Sequence, residues 1–100
     1  MKGPKVYMVI EIKIKDKEKY GRYVDEVYGI VRRHGGRYLV RGGRVTPMFG
    51  GWTPERMVVI AFDSLEDLKK CFASPEYSAV APLRETSTET RSVILEGCQP

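Results

Sequence analysis

Val6-Tyr7-Met8-Val9-Ile10, continuing to Lys15, and Met57-Val58-Val59-Ile60-Ala61-Phe62 decide the fold of this chain. Both runs are apolar at nearly every position, and successive side chains of a strand point to opposite faces, so the sheet they build must be shielded from water on both sides. In the first run Val6, Met8, Ile10, Ile12 and Ile14 share one face, with Tyr7, Val9, Glu11 and Lys13 on the other. Two substantial helices in 100 residues can cover one face only. The other face is therefore expected to meet a second copy of the protein.

The rest of the chain supplies those helices and two more strands. Asp16 is suited to cap a helix whose apolar stripe runs Tyr20, Tyr23/Val24, Val27, Ile30/Val31, with His34 closing it at the spacing of one helical face. Gly35-Gly36 can take the left-handed conformation that ends a helix, and lead into a second strand, Arg37-Tyr38-Leu39-Val40-Arg41, ending near Val45. Gly42-Gly43 marks a bulge or a close backbone approach. Thr46 to Glu55, with two prolines, Gly50-Gly51 and Trp52, reads as a loop. A third strand follows from Arg56 to Phe62. Ser64 then opens a helix with Leu65, Leu68, Cys71 and Phe72 inward, and Ser74-Pro75-Glu76-Tyr77 opens a short one that Pro82 should limit. The last strand is expected from Arg91 to Glu96. Strand, helix, strand, strand, helix, short helix, strand is the order of a ferredoxin-like α+β fold with a four-stranded antiparallel sheet.

Composition narrows the function classes. A chain that is 42% hydrophobic and 30% charged fits one globular domain over residues 1–100, with loosely held ends. No stretch approaches the ~20 apolar residues of a membrane span. Met1-Lys2-Gly3-Pro4-Lys5 leads into a strand pattern without a signal-peptide apolar run, so a cytoplasmic location is expected. A net charge of +4 lacks the concentrated basic footprint of a nucleic-acid binder. Lys13, Lys15, Lys17 and Lys19 read as a solvated strand end that blocks edge-to-edge pairing. Cys71 and Cys98 form no Cys-x-x-Cys pair and His34 is the single histidine, so the thiols are expected to be free and no metal or cofactor is expected.

Three stretches carry a resemblance: Gly35-Gly36-Arg37-Tyr38-Leu39-Val40-Arg41-Gly42-Gly43; Trp52-Thr53-Pro54-Glu55-Arg56 before an apolar strand; and Ser74-Pro75-Glu76-Tyr77 with Pro82-Leu83-Arg84. In this order and spacing, over almost the whole chain, they resemble the small bacterial domain-of-unknown-function family 1330. The resemblance implies the dimeric α+β barrel group, in which two ferredoxin-like sheets pack face to face. It implies no activity. Thr86-Ser87-Thr88-Glu89-Thr90 departs from the basic and alanine residues common in the family.

Arg41 and Arg56 are the first candidate site residues. An always-charged guanidinium within or at the end of a strand requires an anion or a carboxylate partner. If the two converge they would hold a small carboxylate or phosphate; the alternative is an internal salt bridge to Glu11, Glu55 or Glu96. Trp52 is either a lid over a pocket or a plug at the subunit seam. His34 is either a proton carrier or the cap of the first helix, where it would meet the carbonyl end. Tyr20, Tyr23 and Tyr77 either line a cleft between helices and sheet or belong to the core. Arg84 is grouped with them as a ligand-binding residue.

The leading reading is a homodimer that holds a small acidic or aromatic metabolite between sheet and helices. Second comes a cofactor-independent enzyme of the oxygenase, isomerase or dehydratase type that this architecture hosts, by fold analogy. A ligand-free structural or interaction dimer comes third. Neither nucleic acid nor membrane is an expected partner.

Overall fold

Alternation in the first apolar run produces one of the two central strands of the sheet. In the computed structural model, which describes residues 4–98, the elements are β1 (Val6–Ile14), α1 (Lys17–Arg33), β2 (Arg37–Arg41), β3 (Arg56–Phe62), α2 (Leu65–Phe72), α3 (Pro75–Ser87) and β4 (Thr88–Glu96). The signal-peptide reading and the expected loose ends fall at least in part on residues 1–3 and 99–100, outside the described residues.

The sheet order is β2-β3-β1-β4, with every neighbouring pair antiparallel. This is the ferredoxin-like βαββαβ topology. Met8 lies opposite Ile60 and Ile94, and Ile10 opposite Val58 and Ser92, so these side chains share the face that the helices cover. The core forms there, from Val6, Ile12, Val58, Ile60 and Phe62 of the sheet against Val27, Ile30 and Val31 of α1 and Leu68 and Cys71 of α2. One sheet layer and one helix layer make a slab of 42 × 38 × 17 Å.

Helix ends follow their capping chemistry. The Asp16 carboxylate accepts from Lys19 N at 3.1 Å, the Ser64 hydroxyl from Asp67 N at 3.1 Å, and the Ser74 hydroxyl from Tyr77 N at 3.1 Å. Behind α1 the left-handed turn falls on Gly35 alone, at φ +86°. Leu65, expected inward, is 40% exposed, because it occupies the first position of α2 and the buried face begins at Leu68.

Three expectations are corrected. Pro82 does not limit α3, which runs 13 residues from Pro75 through it to Ser87. Proline removes one donor, to the Ser78 carbonyl, and leaves the later turns able to form. Those turns are closed by the hydroxyl-rich run: Thr86 Oγ1 donates to the Pro82 carbonyl at 2.7 Å and Thr88 Oγ1 to the Arg84 carbonyl at 2.7 Å. Secondly, β4 therefore starts at Thr88 rather than Arg91, with no loop after the helix, and the Ser87 carbonyl accepts from Lys15 N at 2.8 Å to tie this junction to the end of β1. Thirdly, β2 ends at Arg41 rather than near Val45, and its register break lies between Tyr38 and Val40, with Leu39 as the extra residue, rather than at Gly42-Gly43.

Candidate functional site

The register break at Leu39 builds the site. Residues three apart on a regular strand face opposite ways, but one extra residue restores the phase. Tyr38 opposite Ile60 and Arg41 opposite Val58 thus both face the helices. Arg56, opposite Ile12 at the start of β3, joins them on that face. From the helix layer come Tyr20 and Tyr23 of α1 and Tyr77 and Arg84 of α3. Between the layers lies a cavity of about 270 Å³ whose walls include Met8, Ile10, Val24, Val27, Ile60 and Phe72 as well as these seven polar-tipped side chains.

Each guanidinium is held by aromatic groups. Arg41 lies 4.1 Å from the centre of the Tyr28 ring and 5.4 Å from that of Tyr38, and those two rings are stacked on each other at 5.3 Å. Arg56 donates from Nε to the Tyr20 hydroxyl at 3.1 Å. Gly42 is the reason it fits there: at φ +80°, a Cβ on this residue would sit 2.1 Å from Arg56 Nη1. Arg84 donates from Nε to the Tyr77 hydroxyl at 3.1 Å, and its Nη2 lies 3.8 Å from Glu85.

Among the described residues, neither Arg41 nor Arg56 has a carboxylate at ion-pair distance. The carboxylates that could have taken them are engaged elsewhere. Glu11 meets Arg91 and Trp52, and Glu55 accepts from Ile14 N at 2.8 Å. The cavity walls hold no aspartate, glutamate, histidine or cysteine among the described residues. Its charge is therefore entirely positive.

The phenols are tuned by their surroundings. Burial, reinforced by Tyr77, pushes Tyr23 well above the ordinary tyrosine value, and burial pushes Tyr38 up to about 12 despite the opposing charge of Arg41. For Arg84 burial pulls downward, but the Tyr77 hydroxyl and neighbouring groups outweigh it and the net direction is up. Near neutral pH the cavity presents neutral hydroxyl donors and fixed cations.

Six sequence-level candidates meet at this cavity: Tyr20, Tyr23, Arg41, Arg56, Tyr77 and Arg84. Trp52 does not. It lies against the opposite face of the sheet beside Val9, Met57 and Val93, where its indole N–H donates to Glu11 at 3.1 Å. His34 does not either; it caps α1 with Nδ1 2.9 Å from the Ile30 carbonyl, which places the proton on that nitrogen, and Nε2 lies 3.7 Å from Glu76. Tyr28 and Tyr38, which fix Arg41, were not singled out from the sequence. Tyr28 falls off the apolar stripe of α1, and Tyr38 stands three residues from Arg41, a spacing that separates faces unless the strand is irregular. A tyrosine-rich neighbourhood around a strand arginine was the available signal.

The arrangement is that of a ferredoxin-like α+β protein with a cationic, tyrosine-lined cavity between its layers. The chain belongs to the family described as Domain of unknown function (DUF1330), whose model matches residues 5–98. No curated protein matches it in sequence. Among solved structures it is similar to a protein of unknown function from Rhodopseudomonas palustris, at 14% identity and a TM-score of 0.82 over 97% of this chain and 85% of that one. It is similar to SnoaB, a cofactor-independent oxygenase from Streptomyces nogalater, at 13% identity and a TM-score of 0.70 over 98% and 97%. A dimeric protein of unknown function and ferredoxin-like fold from Bacteroides fragilis aligns at 16% identity and a TM-score of 0.58 over 97% and 100%. Identities this low establish the shared fold. No helix among the described residues is long and apolar enough to cross a membrane.

Proposed function

We propose that this protein is a homodimer that binds a small organic acid with an apolar or aromatic body in the cavity between sheet and helices. One observation carries the reading: an apolar cavity of about 270 Å³ lined by three guanidiniums and no carboxylate. Three cations facing one largely apolar cavity with no carboxylate on its walls attract an anion, most strongly at the half-buried Arg56 and Arg84. Arg41 and Arg56 are the side chains assigned to the carboxylate, with arginine's planar fork suited to two-point contact. Tyr20, Tyr23 and Tyr77 supply flat walls for the body. Trp52 is assigned to the opposite face and the subunit seam.

The homodimer rests on the uncovered face. The chain exposes 6831 Å², against about 5,800 Å² for a monomer of its mass. The dimeric Bacteroides fragilis neighbour lends support from the fold. The open cavity favours a ligand over the purely structural dimer, whose interior would be filled by side chains. A second reading, a cofactor-independent enzyme, draws on the likeness to SnoaB and on the buried phenol pair Tyr23 and Tyr77, 3.0 Å apart, as the proton-carrying groups. His34, engaged at the end of α1, is not assigned that role.

Thermal-shift screening of organic acids against the wild type and Arg41→Ala tests the binding reading. A ligand at 100 times its Kd adds about 2.7 kcal/mol of stability. An acid that raises the wild-type Tm by several degrees and leaves Arg41→Ala unmoved is the expected result. A panel of aromatic and aliphatic acids at millimolar concentration with no shift on the wild type overturns the reading.

A further inference from the structure

We infer that Tyr23 and Tyr77, braced by Arg84, form a hydroxyl donor site for a second oxygen of the ligand, a carbonyl or phenol oxygen distinct from its carboxylate. The inference rests on the cavity reading above and narrows its ligand to hydroxy- or oxo-substituted acids.

A count of protons leads there. Tyr23 and Tyr77 each carry one hydroxyl proton and two lone pairs, and guanidinium can only donate. Arg84 Nε, 3.1 Å from the Tyr77 oxygen, therefore occupies one of its lone pairs. The contact between the two phenol oxygens, 3.0 Å, consumes one proton from one of the pair. One proton is left over. It belongs to Tyr77 if Tyr23 is the donor of the shared bond, and to Tyr23 if Tyr77 is. Among the described residues no carbonyl, carboxylate or hydroxyl accepts it, yet both residues are 8% exposed and both line the cavity. The unspent donor is directed to whatever occupies that space.

The site favours ligand oxygens and disfavours cations. A cation bonded to the Tyr77 oxygen polarises the hydroxyl network and strengthens the O–H that leaves it. Burial keeps Tyr23 protonated far above neutral pH, so it serves as a donor and not as a base. A protonated amine at the same place would meet the like charge of Arg84, only 3.1 Å from the Tyr77 oxygen. The contacts also form one chain along the cavity wall: Arg56 to Tyr20 at 3.1 Å, Tyr20 stacked on Tyr23 at 5.9 Å, Tyr23 to Tyr77, Tyr77 to Arg84. Cations stand at both ends of that chain, with the phenol pair between Tyr20 and Arg84. A ligand whose carboxylate meets Arg41 and Arg56 would bring its second oxygen to the phenols.

Calorimetric titration with benzoate and 4-hydroxybenzoate tests this. The two probes differ by the one oxygen at issue. The expected result is tenfold tighter binding of 4-hydroxybenzoate by the wild type, a preference kept in Tyr23→Phe and in Tyr77→Phe, each of which frees the remaining phenol's proton, and a preference reduced to within twofold in the double variant Tyr23→Phe/Tyr77→Phe. Each substitution keeps the ring, and the single variants read the proton count even where the double one fails to fold. A wild type that binds both acids equally, a preference that survives in the double variant, or one already lost in both single variants overturns the donor site and leaves the cavity reading standing. No binding of either acid overturns both.

Discussion

Val58, Ile60 and Phe62 face the helices and are 5% exposed or less, whereas Val93 and Leu95, on the other face of the same sheet, are 57% and 52% exposed. Side chains of one chemical kind thus end in opposite surroundings. On the covered face the polar groups are arginines and tyrosines around an empty volume. On the open face they are Glu11, Arg91 and the Trp52 indole, set among Val9, Met57 and Val93. The covered face has solved its burial within the chain and left room for a small molecule. The open face has not: Val93 and Leu95 stay exposed around the Glu11–Arg91 pair, and this is the face that the proposed second copy would cover.

The largest expected effect breaks the covered face. Phe62 is wholly buried and packs edge-on against Phe72 at 6.2 Å. Phe62→Ala removes that contact and opens a void, and should cost about 3–5 kcal/mol in urea denaturation. A loss below about 1 kcal/mol would mean that the core lies elsewhere. A smaller effect is expected on the open face. Leu95→Asp places a charge in the proposed seam and should raise the dimer dissociation constant at least tenfold, about 1.4 kcal/mol. Sedimentation across a dilution series should show two chain masses for the wild type and one for the variant, with binding of organic acids retained. A wild type that sediments as one chain at micromolar concentration removes the second copy from the reading and leaves the open face unexplained.

How much of this was legible in the residues differs between the two faces. The strand order followed from alternation at Val6 to Ile14 and from the apolar run at Met57 to Phe62, because burial period is a local property. The caps at Asp16, Ser64 and Ser74 were equally local. The cavity was only half legible. Arg41 and Arg56 stood out as charges in strands, but what orients Arg41 is an extra residue at Leu39, and an ordinary leucine gives no sign of a bulge. Trp52 could not be assigned to a face, since a loop of ten residues can fold to either side of the sheet. It folds to the open side because Glu11, the one carboxylate in the middle of β1, accepts its indole proton there. Pro82 misled for a different reason: a proline removes one hydrogen bond, and whether the helix resumes depends on the hydroxyls of Thr86 and Thr88 further along.

Glu11 offers the finest test of the difference between the faces. Its side chain is 22% exposed, and hydrogen bonds from Arg91 and then from Trp52 hold its carboxyl below the usual glutamate value. A carboxylate whose folded pKa is depressed contributes stability that is complete above the unfolded value and disappears as pH falls through the folded one. In a single chain the effect should be small and erased by salt, because Arg91 is largely solvent-exposed and its attraction is screened. If the open face is covered by a second copy, water leaves and the same pair is screened far less. Acid should then dissociate the wild-type dimer at a pH below the usual glutamate value. Glu11→Gln, which has no proton to gain, should dissociate to an extent that does not change over that range. Sedimentation at a series of pH values and two salt concentrations separates the cases: identical pH profiles for the two proteins would show that Glu11 stays in water and that the second copy, if present, binds elsewhere.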